Sequence, residues 1–142
     1  VGFLNNLSGY DKYSKKLNRG QLMGLTKVTV TVSNLTKSKS GYEALFLVDT
    51  GAIHCMAPES ELIKVGIQVE GKAVYELANG QPVEYKYGFA RISFMGEETV
   101  SRIIFGPDDV ESILGVVALE DVGIGVDPVT MTLKRMPAIS LK

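Results

Sequence analysis

One aspartate closes the most apolar run of this chain. Ala44, Leu45, Phe46, Leu47 and Val48 lead directly into Asp49, which is followed by Thr50, Gly51 and Ala52. A carboxylate at the end of a buried strand must be hydrated, paired or held by local hydrogen bonds, because burying an unpaired charge is too costly. Gly51 permits the tight backbone turn that can supply such bonds. A carboxylate held in this way can exchange protons with a water or a substrate. At ordinary residue frequencies the tripeptide arises by chance in roughly 3% of chains of this length. A strand-ending turn built around the aspartate side chain is therefore an alternative reading of these three residues.

The other reactive residue types support less. His54 and Cys55 are adjacent, and neighbouring side chains in an extended segment point to different sides. The chain has one histidine and one cysteine, so no second histidine could activate the thiol. Cys55 reads as a small buried apolar residue and His54 as the wall of a pocket. The same count excludes an intrachain disulfide and the usual zinc cages, and no metal or cofactor is expected. Asp108 and Asp109 beside Pro107, and Asp127 before Pro128, read as turn residues; neither they nor Asp121 stand in a second Asp-Thr-Gly or Asp-Ser-Gly. Gly123-Ile124-Gly125 is too short for a dinucleotide-binding fingerprint. Fifteen Lys and Arg against sixteen Asp and Glu leave a net charge of -1, which gives no long-range pull toward nucleic acid or an anionic membrane.

The elements that must position Asp49 are mostly strands. At 142 residues and 45% hydrophobic content, the chain fills one domain with a sizeable core. Residues 1–24 show no sustained period and read as a flexible amino-terminal arm, 25–136 as the folded domain, and 137–142 as a tail. Val28, Val30 and Val32 alternate with Thr29, Thr31 and Ser33, the pattern of a half-buried strand. Tyr42 to Val48 reads as a continuously buried central strand. Asn34-Leu35-Thr36, a glycosylation acceptor in form, reads as a turn. Pro58 to Val65 predicts a helix of one or two turns closed by Gly66. Val74–Ala78 and Val83–Tyr87 predict a hairpin around a type I′ turn at Asn79-Gly80. Phe89–Met95 and Val100–Phe105 predict two strands turning at Gly96. Val116 to Val122 predicts a short helix stopped by Gly123, and Met131 to Lys134 a last strand. Seven or eight strands with two short helices imply an all-β barrel or sandwich-like domain. The apolar start, Val1 to Leu4, is too short for a signal peptide and no run reaches eighteen apolar residues, so a soluble, cytoplasmic protein is expected.

Leu47-Val48-Asp49-Thr50-Gly51-Ala52, the hairpin-forming middle, and Ile113-Leu114-Gly115 followed by Leu119 to Asp127 resemble the retroviral-like aspartic proteases, in their cellular and prokaryotic branch. The resemblance runs from about Lys27 to Leu133. It implies an all-β, closed, barrel-like half-domain in which the apolar-apolar-Gly element packs beside the catalytic loop. Asp49 would be the catalytic aspartate. Thr50, with Gly51 and Ala52, would support the active-site loops across a subunit interface. Gly51, Ile53, His54, Asn79, Gly80 and Ile113 would contact substrate, with Asn79-Gly80 at the tip of a covering flap.

The family chemistry needs two opposed carboxylates, and the chain holds one Asp-Thr-Gly, so the resemblance implies a homodimer. The implied activity is hydrolysis of an extended, largely apolar peptide or unfolded segment by a water between two Asp49 carboxylates sharing a proton. Where viral members carry an acid and an arginine that brace the dimer, this chain has Ile53 and Val116. The alternative implied by that departure is a catalytically inactive peptide-binding or assembly domain on the same scaffold.

Overall fold

The structure, a computed structural model, describes residues 26–139 and 141; the amino-terminal arm assigned to 1–24 lies outside the described residues. The valine-threonine alternation folds as β1 (Lys27–Ser33), with Val30 and Val32 wholly buried. A turn leads to β2 (Tyr42–Val48), antiparallel to β1 with Val30 opposite Ala44. Asn34 is spent inside this turn: its side-chain amide donates to the Val65 carbonyl (3.0 Å) and to Ser38 Oγ (3.1 Å). Its Oδ1 accepts the Thr36 hydroxyl and the Ser38 N–H, both at 3.1 Å, so the buried side chain serves as structural glue rather than as an acceptor for sugar.

After the Asp49 loop come β3 (Cys55–Pro58) and α1 (Glu59–Lys64), which stops at Gly66 with φ 86°. β4 (Gly71–Glu76) and β5 (Pro82–Phe94) form the expected hairpin, and β6 (Glu97–Gly106) returns along β5. β7 (Ile113–Leu114), α2 (Val116–Asp121), β8 (Ile124–Val126) and β9 (Leu133–Arg135) complete the described elements.

Six strands close a barrel in the order β1-β2-β7-β3-β6-β5, with β5 pairing back onto β1; β4 extends the sheet beyond β5. Over the described residues the fold is thus a closed all-β barrel with two short helices rather than a sandwich. Closure is possible because β5 is long. Its first half pairs with β4, and its second half pairs with β6 on one side and β1 on the other. Phe46, Ile92, Ile103, Phe105 and Leu114 fill the interior, and Leu62 of α1 and Leu119 of α2 plug it. Each such side chain, fully withdrawn from water, contributes about 2–3 kcal/mol.

Several sequence expectations change. Val83–Tyr87 and Phe89–Met95 are one strand of 13 residues. β2 is fully buried only in its last three residues; in its first half Tyr42 and Ala44 pack on the core while Leu45, pointing to the other side of the pleat, is 61% exposed. Asn79-Gly80 is not a type I′ turn. Gly80 alone has positive φ (85°), and its N–H donates to the Leu77 carbonyl at 2.8 Å, while the Leu77 N–H donates to the Gln81 carbonyl at 2.9 Å. The loop is therefore the three-residue kind, Ala78 to Gly80, with glycine in the left-handed position. Asn79 Oδ1 accepts the Gln81 N–H (2.9 Å), which helps hold this geometry. The two consecutive positive φ angles of a I′ turn occur instead at Met95 (53°) and Gly96 (76°), between β5 and β6. The last strand is shorter than expected and pairs with β8 apart from the barrel. Residues 137–139 carry no strand or helix. Among the described residues no helix is long and apolar enough to cross a membrane.

Candidate active site

β7 enters the sheet between β2 and β3, parallel to the first and antiparallel to the second, with Ile113 opposite both Leu47 and Met56. The loop 49–54 leaves β2 at this junction. Asp49 N–H donates to the Leu114 carbonyl (3.1 Å), carrying the β2–β7 pairing one residue past the strand. The loop is also tied to α2. Ala52 and Ile53 carbonyls accept the N–H groups of Val116 (2.8 Å) and Val117 (3.1 Å). These are first-turn amides that no intrahelical carbonyl can satisfy, so the helix end is capped by the loop it holds.

Gly115 lets the two segments cross. A Cβ there would stand 2.6 Å from the His54 carbonyl carbon and oxygen and 2.8 Å from the Ile53 oxygen. Its φ of -88° is open to any residue, so the requirement is space alone.

Asp49 is half-buried, and its carboxylate is fixed by the turn that follows: Gly51 N–H donates to Oδ1 at 2.9 Å, and Ala52 N–H to the Asp49 carbonyl at 3.0 Å. Burial pushes the Asp49 pKa above the usual carboxylate range, and the Gly51 amide offsets part of that rise. Thr50 and Gly51 are exposed, and among the described residues the Thr50 hydroxyl has no hydrogen-bond partner. A carboxyl raised in this way changes protonation nearer to neutrality than an ordinary aspartate, which suits proton exchange.

The other residues assigned to the site divide. Ile53 is 62% exposed beside the loop, whereas Ile113 is 6% exposed at the strand junction and presents little surface. Asn79 and Gly80 sit at the exposed tip of the β4–β5 hairpin, with the tip hydrogen bonds described above internal to it. Cys55 is fully buried, its thiol pushed up to about 12 chiefly by desolvation, and its Sγ accepts the Gly115 N–H at 3.5 Å. It is a packing residue without nucleophilic character. His54 is half-buried, and its Nδ1 is buried without a hydrogen-bond partner among the described residues. Burial, then the Arg102 charge, lowers its pKa.

Three of the other described aspartates have structural partners. Asp108 accepts the Ser60 N–H (3.0 Å), Asp121 the Thr99 hydroxyl (3.0 Å) and Asp127 the Val129 N–H (2.8 Å). Among the described residues no three His, Cys, Asp or Glu side chains group as a metal site. A surface depression of about 310 Å³ lies between α1 and the β6–β7 turn, lined by Glu59, Ser60, Ile63, Gly106, Pro107 and Asp108; none of the Asp49-loop residues lines it.

Sequence reasoning missed one cluster on the outer face. Arg102 lies over the Tyr87 ring at 3.9 Å and the Phe89 ring at 5.9 Å, and its Nη1 donates to Tyr75 Oη at 3.4 Å. The alternation Tyr85-x-Tyr87-x-Phe89 was its available signal, since period 2 puts all three rings on one side.

No protein-family model matches this chain, and no curated protein matches it.

Proposed function

We propose that this chain is one half of a retropepsin-like aspartic endopeptidase, which hydrolyses peptide bonds as a homodimer. The observation that carries the reading is Asp49 itself. It is a half-buried carboxylate with a raised pKa, braced by the Gly51 amide on a loop that Ile113-Leu114-Gly115 crosses at backbone contact. The exposed Thr50 hydroxyl is available to meet its counterpart across a two-fold axis.

In the dimer, two Asp49 carboxylates share one proton around a water. The ionised member takes a proton from that water as it attacks the amide carbonyl. The protonated member donates to the developing oxyanion, and transfer to nitrogen releases the amine. The β4–β5 hairpin would close over an extended peptide, supplying backbone hydrogen bonds and excluding water.

The test compares purified wild type and Asp49→Asn on a diverse peptide library from acidic to neutral pH, with folding and sedimentation measured on both. Cleavage by wild type alone, with specific activity falling on dilution into the monomer range, supports the proposal. Equal cleavage by both proteins rejects Asp49 as catalyst. Peptide binding without turnover by a folded wild-type dimer replaces it with the non-catalytic binding domain.

A further inference from the structure

We propose that Arg102, framed by Tyr75, Tyr87 and Phe89, with His54 one residue before the Cys55–Ile103 pair, is a specificity subsite for a carboxylate side chain of the peptide, about four residues from the bond held at Asp49. The assignment rests on reading the Asp49 face as a peptide-binding face.

Strand register places this cluster on the same side of the sheet as Asp49. Leu47 stands opposite Ile113, Ile113 opposite Met56, Met56 beside Ile104, and Ile104 beside Tyr87. Two residues along β2 from Leu47 is Asp49, and two residues back along β6 from Ile104 is Arg102, which faces Phe89. Period 2 keeps both on the outer face. Between β2 and β6 lie three strand steps, β7, β3 and then β6 itself. At about 4.8 Å per step they separate the two side chains by roughly 14 Å, the reach of about four residues of extended peptide.

The chemistry of the cluster selects an anion. A guanidinium offers five N–H donors in a planar fork. Arg102 is half-buried, forms no ion pair with any described carboxylate, and directs one long contact to Tyr75 Oη. The Tyr87 ring, 3.9 Å from the guanidinium carbon, restrains where the fork sits, so a carboxylate meets donors already held in place. Burial, then the Asp109 charge, raises the Tyr85 phenol, and Asp109 forms no ion pair with Arg102. The His54 ring, whose pKa burial and then the Arg102 charge lower, carries the unpartnered Nδ1.

Binding of paired peptides to the full chain carrying Asp49→Asn tests the subsite independently of turnover. Each pair differs only by Glu or Gln, scanned three to five residues to either side of the central bond, and affinity is read by fluorescence anisotropy at low and high salt. The expected result is about tenfold tighter binding of one Glu peptide than its Gln partner, shrinking with salt. Arg102→Gln added to that background abolishes the Glu-over-Gln difference, while Arg102→Lys keeps part of it. Equal affinity for Glu and Gln at every position, or no binding of either, overturns the subsite, and this comparison needs no Arg102 variant to fold. Cleavage without Glu preference sinks the subsite alone. Glu preference that depends on Arg102 in a protein without turnover sinks the peptidase reading and leaves the subsite standing.

Discussion

Gly115→Ala isolates the contact that joins the Asp49 loop to the rest of the barrel. The added methyl would sit 2.6 Å from the His54 carbonyl carbon and oxygen and 2.8 Å from the Ile53 oxygen, against about 3.4 Å or more for an ordinary contact. None of these atoms belongs to a flexible side chain. The loop cannot retreat without lengthening the Val116 and Val117 amide bonds to Ala52 and Ile53, and β7 cannot retreat without losing its pairing to Leu47 and Met56. Overpacking of this kind costs about 1–3 kcal/mol, and the backbone partners put this site at the upper end, about 3 kcal/mol. For a domain of this size that lowers Tm by roughly 10 °C. The assay is urea denaturation followed by circular dichroism, with Gly80→Ala as control. Gly80 has φ 85° but no atom closer than 3.7 Å to a new Cβ, so only conformational strain applies, about 1 kcal/mol. A loss below 0.5 kcal/mol for Gly115→Ala, on the order of the ordinary surface-substitution scatter, would refute the crossing as a close-packed junction.

Three further outcomes follow from the electrostatics. Because the folded pKa of Asp49 is raised, the native state holds its proton more tightly than the unfolded chain; its contribution is greatest in acid and is lost as pH rises through the folded pKa. Asp49→Asn should therefore gain stability over wild type at neutral pH, with the gap closing below the ordinary carboxylate range, as measured by denaturation at several pH values. Cys55, buried with its thiol pushed up to about 12, should react with a thiol reagent only after denaturation, so prompt native labelling would contradict its placement. Glu98 accepts from Lys37, Ser93 and Arg91, which hold its carboxyl down to about 2. Its titration by NMR should move upward in Lys37→Met and in high salt, since the network is exposed to screening.

Local pattern made much of the barrel legible. β1 announces itself through alternating valines, α1 through its glycine stop, and α2 through Gly123, because each signal lies within one turn or one pleat of the element it marks. β3 carries no such signal: four residues ending in proline become a strand because β6 and β7 flank them. The I′ turn moved from Asn79-Gly80 to Met95-Gly96 for a similar reason. There β5 and β6 pair up to Phe94 and Glu97, leaving two residues to reverse the chain, whereas Leu77 and Gln81 leave three. Turn residues propose a reversal, and strand register decides how many residues it spans.

At the site, the sequence alone determined that a lone Asp-Thr-Gly follows an apolar strand and that an apolar pair ending in glycine lies far along the chain. Neither motif says that the two meet. Threading β7 between β2 and β3 brings Gly115 against the carbonyls of Ile53 and His54, and the same register carries Arg102 onto the outer face with Asp49. Side-chain type and spacing are written locally, while the approach of segments more than sixty residues apart is set by pairing and packing, which no short window of sequence contains.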